Sequence, residues 1–318
     1  MSAGTRVTRE PPSSRWPLLQ AGYAKSTTKK YHAAVQRFYA WCKATQEHPS
    51  SVEDLDECLA DYFHVMYEEK EGKGKQTARD TLYGIEMYLP RVKGQLPIAG
   101  RVVNRWAKLH VGESYPPLTW DLAALVAVHI AKSGNFRRAV ATVLAFDCLL
   151  RVGELTSLRR EDVAFPRDRR MGSEYKITTL SIRVAKTGRN QSVTVASPEV
   201  VTLLRQVVDM TKPGGLLFPG GSSGFRTTFK SACASLGLSA RYVPHSLRHG
   251  GATRLYLQGV RLEDIMVRGR WASSKSARTY IQSSRAVLMA MVPPRAVADA
   301  AAAVVQALVF SFALTQKH

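Results

Sequence analysis

Apolar positions along the chain recur at helical spacing almost throughout and change to strict alternation in one place. Over residues 27–44 the apolar side holds Tyr31, Val35, Phe38, Tyr39 and Cys42, and Ser26 is placed to cap the helix. Ser51 is placed to cap a second helix with Leu55, Leu59, Tyr62, Phe63 and Met66 inward, stopping near Gly72. A third helix is expected over 77–89, ended by Pro90. A fourth, over 100–110, carries Arg101, Arg105 and Lys108 beside Trp106. These predict a bundle of four helices with basic surfaces, whose charges read either as a polyanion-facing side or as ordinary solvated faces. The GKGK run at 72–75 is a basic loop, too short and wrongly spaced to cradle a nucleotide phosphate.

The sequence GESYPP at 112–117 predicts a linker, since consecutive prolines cannot continue a helix. Thr119 caps the next expected helix, to Ala131. The apolar run over 136–150 predicts a central buried helix, and a shorter helix follows over 154–160. Alternation then appears at Ile177, Leu180, Ile182, Val184, Val193 and Val195, which predicts a hairpin turning through 185–190. Ser197-Pro198-Glu199 is a strong helix start. Further helices are expected over 200–210 and 225–236, from His245 to Gly259, over 262–267, and from a cap at Ser273 or Ser274 to Tyr280. Past two prolines at 293–294, the apolar stretch over 300–314 is shorter than the ~20 residues that span a bilayer and contains Gln306 and Ser311. Such a helix needs a groove to bury it, on its own chain or on a neighbour, and the neighbour is the one expected.

The pattern gives a mainly α fold with a small antiparallel β-sheet (α+β), divided into a polar lead (1–22), a helical domain (23–111), a linker (112–118), a second domain (119–292) and a C-terminal apolar helix (293–318). The 318 residues suit about two domains. A formal net charge of +20 calls for a polyanionic partner, nucleic acid first. Cys42, Cys58, Cys148 and Cys233 lie far apart with no metal-type spacing, as expected of reduced thiols in an intracellular protein. Residues 1–22 are polar, Pro-rich and Arg-containing, unlike a signal peptide.

The candidate chemistry lies between His245 and Tyr280, where seven Arg or Lys face only Glu263 and Asp264. His245 and Arg248 open one helix, Trp271 follows, and Tyr280 offers a nucleophilic hydroxyl. A cationic wall around one phenol suits attack on a phosphodiester. His245 and His249 are spaced i, i+4 as in some zinc helices, but the metalloprotease pattern needs Glu where Ser246 stands. Arg151, at the junction of two buried helices, reads either as the partner of Glu154 or Asp147 or as a phosphate ligand. Lys186 stands in the hairpin turn, where a lysine is commonly just solvated.

Taken in order, these residues resemble the tyrosine recombinases, also called the phage integrase family. LLRVGELTSLRREDV resembles the family's Arg in a turn before Gly-x-Glu-Leu, with Arg151 in place. AKTGRN supplies a hairpin lysine, Lys186; HSLRHGGAT supplies His-x-x-Arg as His245 and Arg248; and Trp271 precedes Tyr280 by nine positions. STTKKYHAAVQRFYAWC resembles the start of the family's helical core-binding (SAM-like) domain, and GRW followed by SARTYI is similar to a form seen in eukaryotic mobile elements. Arg270 stands where many members have Gly, Lys176 is an alternative to Lys186, and Arg159 and Arg160 are alternatives to Arg151.

The resemblance implies a site-specific DNA recombinase or integrase working through a 3′-phosphotyrosyl intermediate. Arg151 and Arg248 would hold the phosphate, Lys186 would protonate the leaving oxygen, His245 would assist proton transfer, and Trp271 would donate to the phosphate or pack the site. Glu154 and His249 would support them. No cofactor or metal is called for. The implied partner is double-stranded DNA, held in a C-shaped clamp, with a homotetramer on two paired sites in the nucleus or nucleoid and no membrane. A non-catalytic DNA-binding descendant and a tyrosine topoisomerase of type IB are the alternatives.

Overall fold

Hydrophobic clusters, one in the first part of the chain and two in the second among the described residues, organise the computed structural model, which describes residues 21–110, 115–166, 168, 176–185, 188–282, 284, 288, 293–308 and 310. The chain divides into two units between Glu113 and Ser114.

In the first unit, α1 (Lys25–Thr45), α2 (Val52–Glu69), α3 (Lys75–Tyr88) and α4 (Pro97–Leu109) enclose Val35, Phe38, Leu55, Leu59, Phe63, Ile85 and Trp106. Ser51 caps α2 as expected, and its side chain and Asp54 satisfy each other's backbone N–H. Ser26 does not cap α1: the helix begins two residues earlier than expected, after Ala24, and Tyr31 and Tyr39 are only half-buried. Helix α4 also starts early. Pro97 occupies its first position, and the buried Asp56 carboxylate accepts from the N–H groups of Ile98 and Ala99, both at 2.8 Å. A capping side chain from another helix leaves no local signature in sequence.

In the second unit, Thr119 caps α5 (Trp120–Lys132), and α6 (Phe136–Asp147) runs through the core with every residue from Ala139 to Phe146 buried. Helix α6 stops three residues short of expectation because Leu149 takes a left-handed conformation, φ 50°. The chain then restarts as α7 (Val152–Ser157), with Arg151 as its N-cap residue. A three-stranded antiparallel sheet follows in the order β1 (Val163–Ala164), β2 (Thr178–Ala185), β3 (Gly188–Val195). Leu180, Ile182, Val193 and Val195 face the core, whereas Ile177, expected inward, precedes β2 and is exposed. The strands pair up to Ala185↔Gly188, within the 185–190 expected as a turn, and residues 186–187 lie outside the described residues.

Helices α8 (Pro198–Asp209), α9 (Gly221–Ser235), α10 (Pro244–Leu257), α11 (Leu262–Gly269) and α12 (Ser274–Tyr280) complete this unit with α13 (Arg295–Gln306). Helix α10 is threaded through the packing. A Cβ on Gly250 would lie 1.8 Å from the Leu118 carbonyl oxygen, and one on Gly251 2.3 Å from that of Phe146. Leu118, expected in the linker, is buried, and its N–H donates to Ser246 O at 3.1 Å. Of the two grooves weighed for the C-terminal helix, the structure shows one on its own chain. Helix α13 packs on α5, burying Ala301 and half-burying Val297, Val304 and Val305 against an Ala- and Val-rich helix. Among the described residues no helix is long and apolar enough to cross a membrane.

Candidate active site

The candidate site gathers on α10, its neighbour α12, and the two turns that end α6 and α11. His245, His249 and Thr253 follow at i, i+4 and i+8, so they share one face of α10. Against that face lies Tyr280, the last residue of α12, a helix capped by the Ser273 side chain. The phenol oxygen is 3.1 Å from His245 Nε2. The Tyr280 ring stacks on His249 (centroids 4.6 Å apart, 27° between planes) and leans on Trp271 at 4.7 Å. Thr253 Oγ1 donates to Tyr280 O at 3.2 Å and accepts from Gln282 N at 3.0 Å, which fixes the chain leaving α12.

Beneath these rings lies Arg248, 0% exposed, its guanidinium carbon 4.5 Å from the Trp271 centroid and 5.2 Å from that of Tyr280. It donates to the carbonyls of Leu149 and Gly269. Its Nε–H and the buried Trp271 Nε1–H find no acceptor among the described residues. Gly269 cannot carry a side chain, since a Cβ there would lie 2.0 Å from the indole.

Of the two readings of Arg151, the pairing with Glu154 is present. Its Nη1 pairs with Glu154 Oε1 at 2.7 Å, while its side chain keeps 21% of its surface exposed at the edge of the site. Asp147 takes Arg268 instead, at 3.3 Å. The alternatives are engaged elsewhere: Arg159 donates to Gly214 O, and Arg160 to Thr211 O at 2.5 Å. Lys186 lies outside the described residues, and Lys176 is exposed just before β2.

The local field is strongly positive. Burial, followed by the charges of Arg248 and Arg151, pushes the His245 imidazole down to about 4, so the ring is neutral at pH 7. With its proton on Nδ1, Nε2 accepts the phenol O–H. Burial, then Arg151 and Arg270, pushes Arg248 down to about 9, which still leaves it cationic at neutral pH. Burial pulls the Glu154 carboxyl up, but Arg270, the Arg151 N–H and the Arg151 guanidinium outweigh it and hold it below the usual carboxylate range. Among the described residues no group of three or more His, Cys, Asp or Glu is placed to hold a metal ion.

Four contributors, Thr253 among them, were absent from the expected set. Tyr115, in the expected linker, sets its ring edge-on to His245 at 6.1 Å. Gln282 Nε2 lies 3.0 Å from His249 Nδ1. Arg270, noted only as a departure, reaches Glu154 Oε2 at 2.8 Å. The i+8 spacing was the available signal for Thr253; the others come from chain segments with no local pattern.

A phenol set among buried guanidinium groups has the makings of a nucleophile toward a phosphorus centre. The model of the phage integrase family matches residues 121–286, more than half of the chain. Tyrosine recombinase XerC of Methylobacterium sp. (strain 4-46) is 28% identical over 232 residues, which are 70% of this chain and 64% of that protein. The chain thus covers less than two thirds of that relative's length. Among solved structures, a Tn1549 transposon integrase variant in complex with transposon right end DNA has a TM-score of 0.60 at 13% identity, covering 86% of this chain and 96% of that one. A lambda integrase dimer bound to a COC′ core site has a TM-score of 0.59 at 16% identity, covering 84% and 92%. At that identity the likeness is one of fold; with the family match over 121–286, the chain belongs to the phage integrase family.

Proposed function

We propose that the chain is a site-specific DNA recombinase or integrase that cleaves and rejoins duplex DNA through a phosphotyrosyl intermediate. The observation that carries this reading is the Tyr280 hydroxyl 3.1 Å from a neutral His245, above the buried Arg248. An unassisted phenol titrates near ~10 and is almost wholly protonated at pH 7, so it needs both a base and a cationic surround. In the proposed step the Tyr280 oxygen forms a bond to the scissile phosphorus as its proton passes to His245 Nε2. The 5′-oxygen leaves with the electron pair of the broken P–O bond and takes a proton from Lys186, the role its place in the hairpin supports by resemblance. The 3′-phosphotyrosyl ester conserves the bond energy, so a 5′-hydroxyl from another strand can reverse the attack.

Arg151, the exposed member of the pair, meets a non-bridging oxygen first. Arg248 acts from below through a low-dielectric gap, where a charge is felt strongly. As the Tyr280 ring shifts toward phosphorus, the unmatched N–H groups of Arg248 and Trp271 gain an acceptor. Glu154 and His249 hold Arg151 and Tyr280 in place. The helical first unit supplies further DNA contact and the second unit the chemistry. Four copies on two paired sites would supply the four cleavages of an exchange, inside a DNA-holding compartment of the cell and as part of a mobile element.

A duplex nicked so that the 5′-fragment diffuses away traps the ester. Wild-type protein is expected to carry labelled strand on a denaturing gel, and Tyr280→Phe none. Absence of adduct with wild type would identify a passive DNA binder, and plasmid relaxation without strand exchange a topoisomerase.

A further inference from the structure

We propose that Arg270 is a positioning residue that fixes Glu154 and, through Glu154, aims the Arg151 guanidinium at the scissile phosphate. The inference rests on the strand-exchange reading above and names a residue outside its expected set.

Arg270 follows the last turn of α11 in a left-handed conformation, φ 55° and ψ 47°, which crowds the Cβ of an L-residue against its own carbonyl. Its side chain is 3% exposed, so a guanidinium has also been taken out of water. A glycine would make the same turn at neither cost. What offsets both is the set of acceptors that the planar fork reaches. Nη2 donates to Glu154 Oε2 at 2.8 Å and to Leu149 O at 3.0 Å, and Nη1 donates to Arg268 O at 3.0 Å and Cys148 O at 3.4 Å. The acceptors come from the end of α6, from α7 and from α11, three segments tied by one side chain. A lysine, with a single point of charge, cannot span them.

The consequence for Arg151 follows from the carboxylate. Glu154 Oε2 is held by Arg270 on one side and by the Arg151 backbone N–H (2.9 Å) on the other, which stops the carboxylate from rotating. Oε1 is thereby aimed at Arg151 Nη1, at 2.7 Å. Arg270 is linked to the second arginine through a shared acceptor, because the Leu149 carbonyl that it binds also accepts from Arg248. A purely structural ion pair would tie down the fold and leave Arg151 indifferent; this one ends on the atoms that set Arg151's direction.

Single-turnover cleavage of the nicked duplex distinguishes the two. Arg270→Gly suits the backbone at this position and is expected to bind DNA within about twofold of wild type while cleaving roughly tenfold or more slowly. Added ethylguanidinium should recover part of that rate. Glu154→Gln should be slow in the same way, and the double variant no slower than Glu154→Gln alone, since both act on one path. Wild-type cleavage by Arg270→Gly, or losses that multiply in the double variant, would overturn the proposal. If Arg270→Gly does not melt cooperatively, Arg270→Lys replaces it, keeping charge without the fork, and a wild-type rate overturns the proposal equally. Failure of both to fold would show a structural role only and count against it. A wild-type protein that never forms the adduct would instead strike the strand-exchange reading itself.

Discussion

A neutral His245 decides where the Tyr280 proton can go, and the same burial makes the residue sensitive to acid. Its folded pKa, about 4, lies below the ordinary ~6.5, so the fold favours the uncharged ring. The unfolded chain takes a proton in the window between those values that the folded chain refuses. The stability tied to His245 is therefore whole above ~6.5 and is lost as the pH falls toward 4. The His245 ring resonance is expected to titrate near pH 4 in an NMR series on the protein alone; a midpoint near 6.5 would mean that the ring is solvated. The membership of the candidate site was largely legible here: His245, Arg248, Trp271 and Tyr280 follow one another along the chain, and the structure brings their side chains together. The partner of Arg151 was left between Glu154 and Asp147, because that choice turns on where Arg268 goes, 121 residues beyond Asp147.

At the scale of elements, α10 is the part that tolerates least. Gly250 and Gly251 let it approach the Leu118 and Phe146 carbonyls, closer than any side chain allows. Gly250→Ala sets a methyl against backbone that cannot rotate away, and should cost roughly 2 kcal/mol or more in a denaturant melt. An unchanged midpoint would show that α10 can slide. The helices with continuous apolar faces were readable to within a few residues, and so was the alternation of β2 and β3. Strand β1 was not, since two residues cannot display a period of two. Helix α4 began early because Asp56, over forty positions away, supplies its cap. Helix α13 was placed on a neighbour because an apolar stripe shows that it will be buried without showing where.

Across the whole molecule, the charge of +20 is the feature with the broadest reach. A protein that neutralises several phosphates releases their counterions on binding. The logarithm of DNA affinity should therefore fall against the logarithm of salt with a slope of roughly −5 or steeper, measured by fluorescence anisotropy. A slope near −1 would mean that the basic faces are mainly solvated. The prolines at 116 and 117 lie close to the boundary between the two units, yet Tyr115 and Leu118 belong to the packing of the second unit, where one edges His245 and the other bonds α10. Proline marks where helices stop, not where contacts do.

The left-handed turn at Leu149 offers its carbonyl to both Arg248 and Arg270. One peptide oxygen thus serves as a common gauge for two cations, whose interval is set by the hydrogen bonds that converge on it. A tilt of the main chain at this turn would swing both guanidinium groups together.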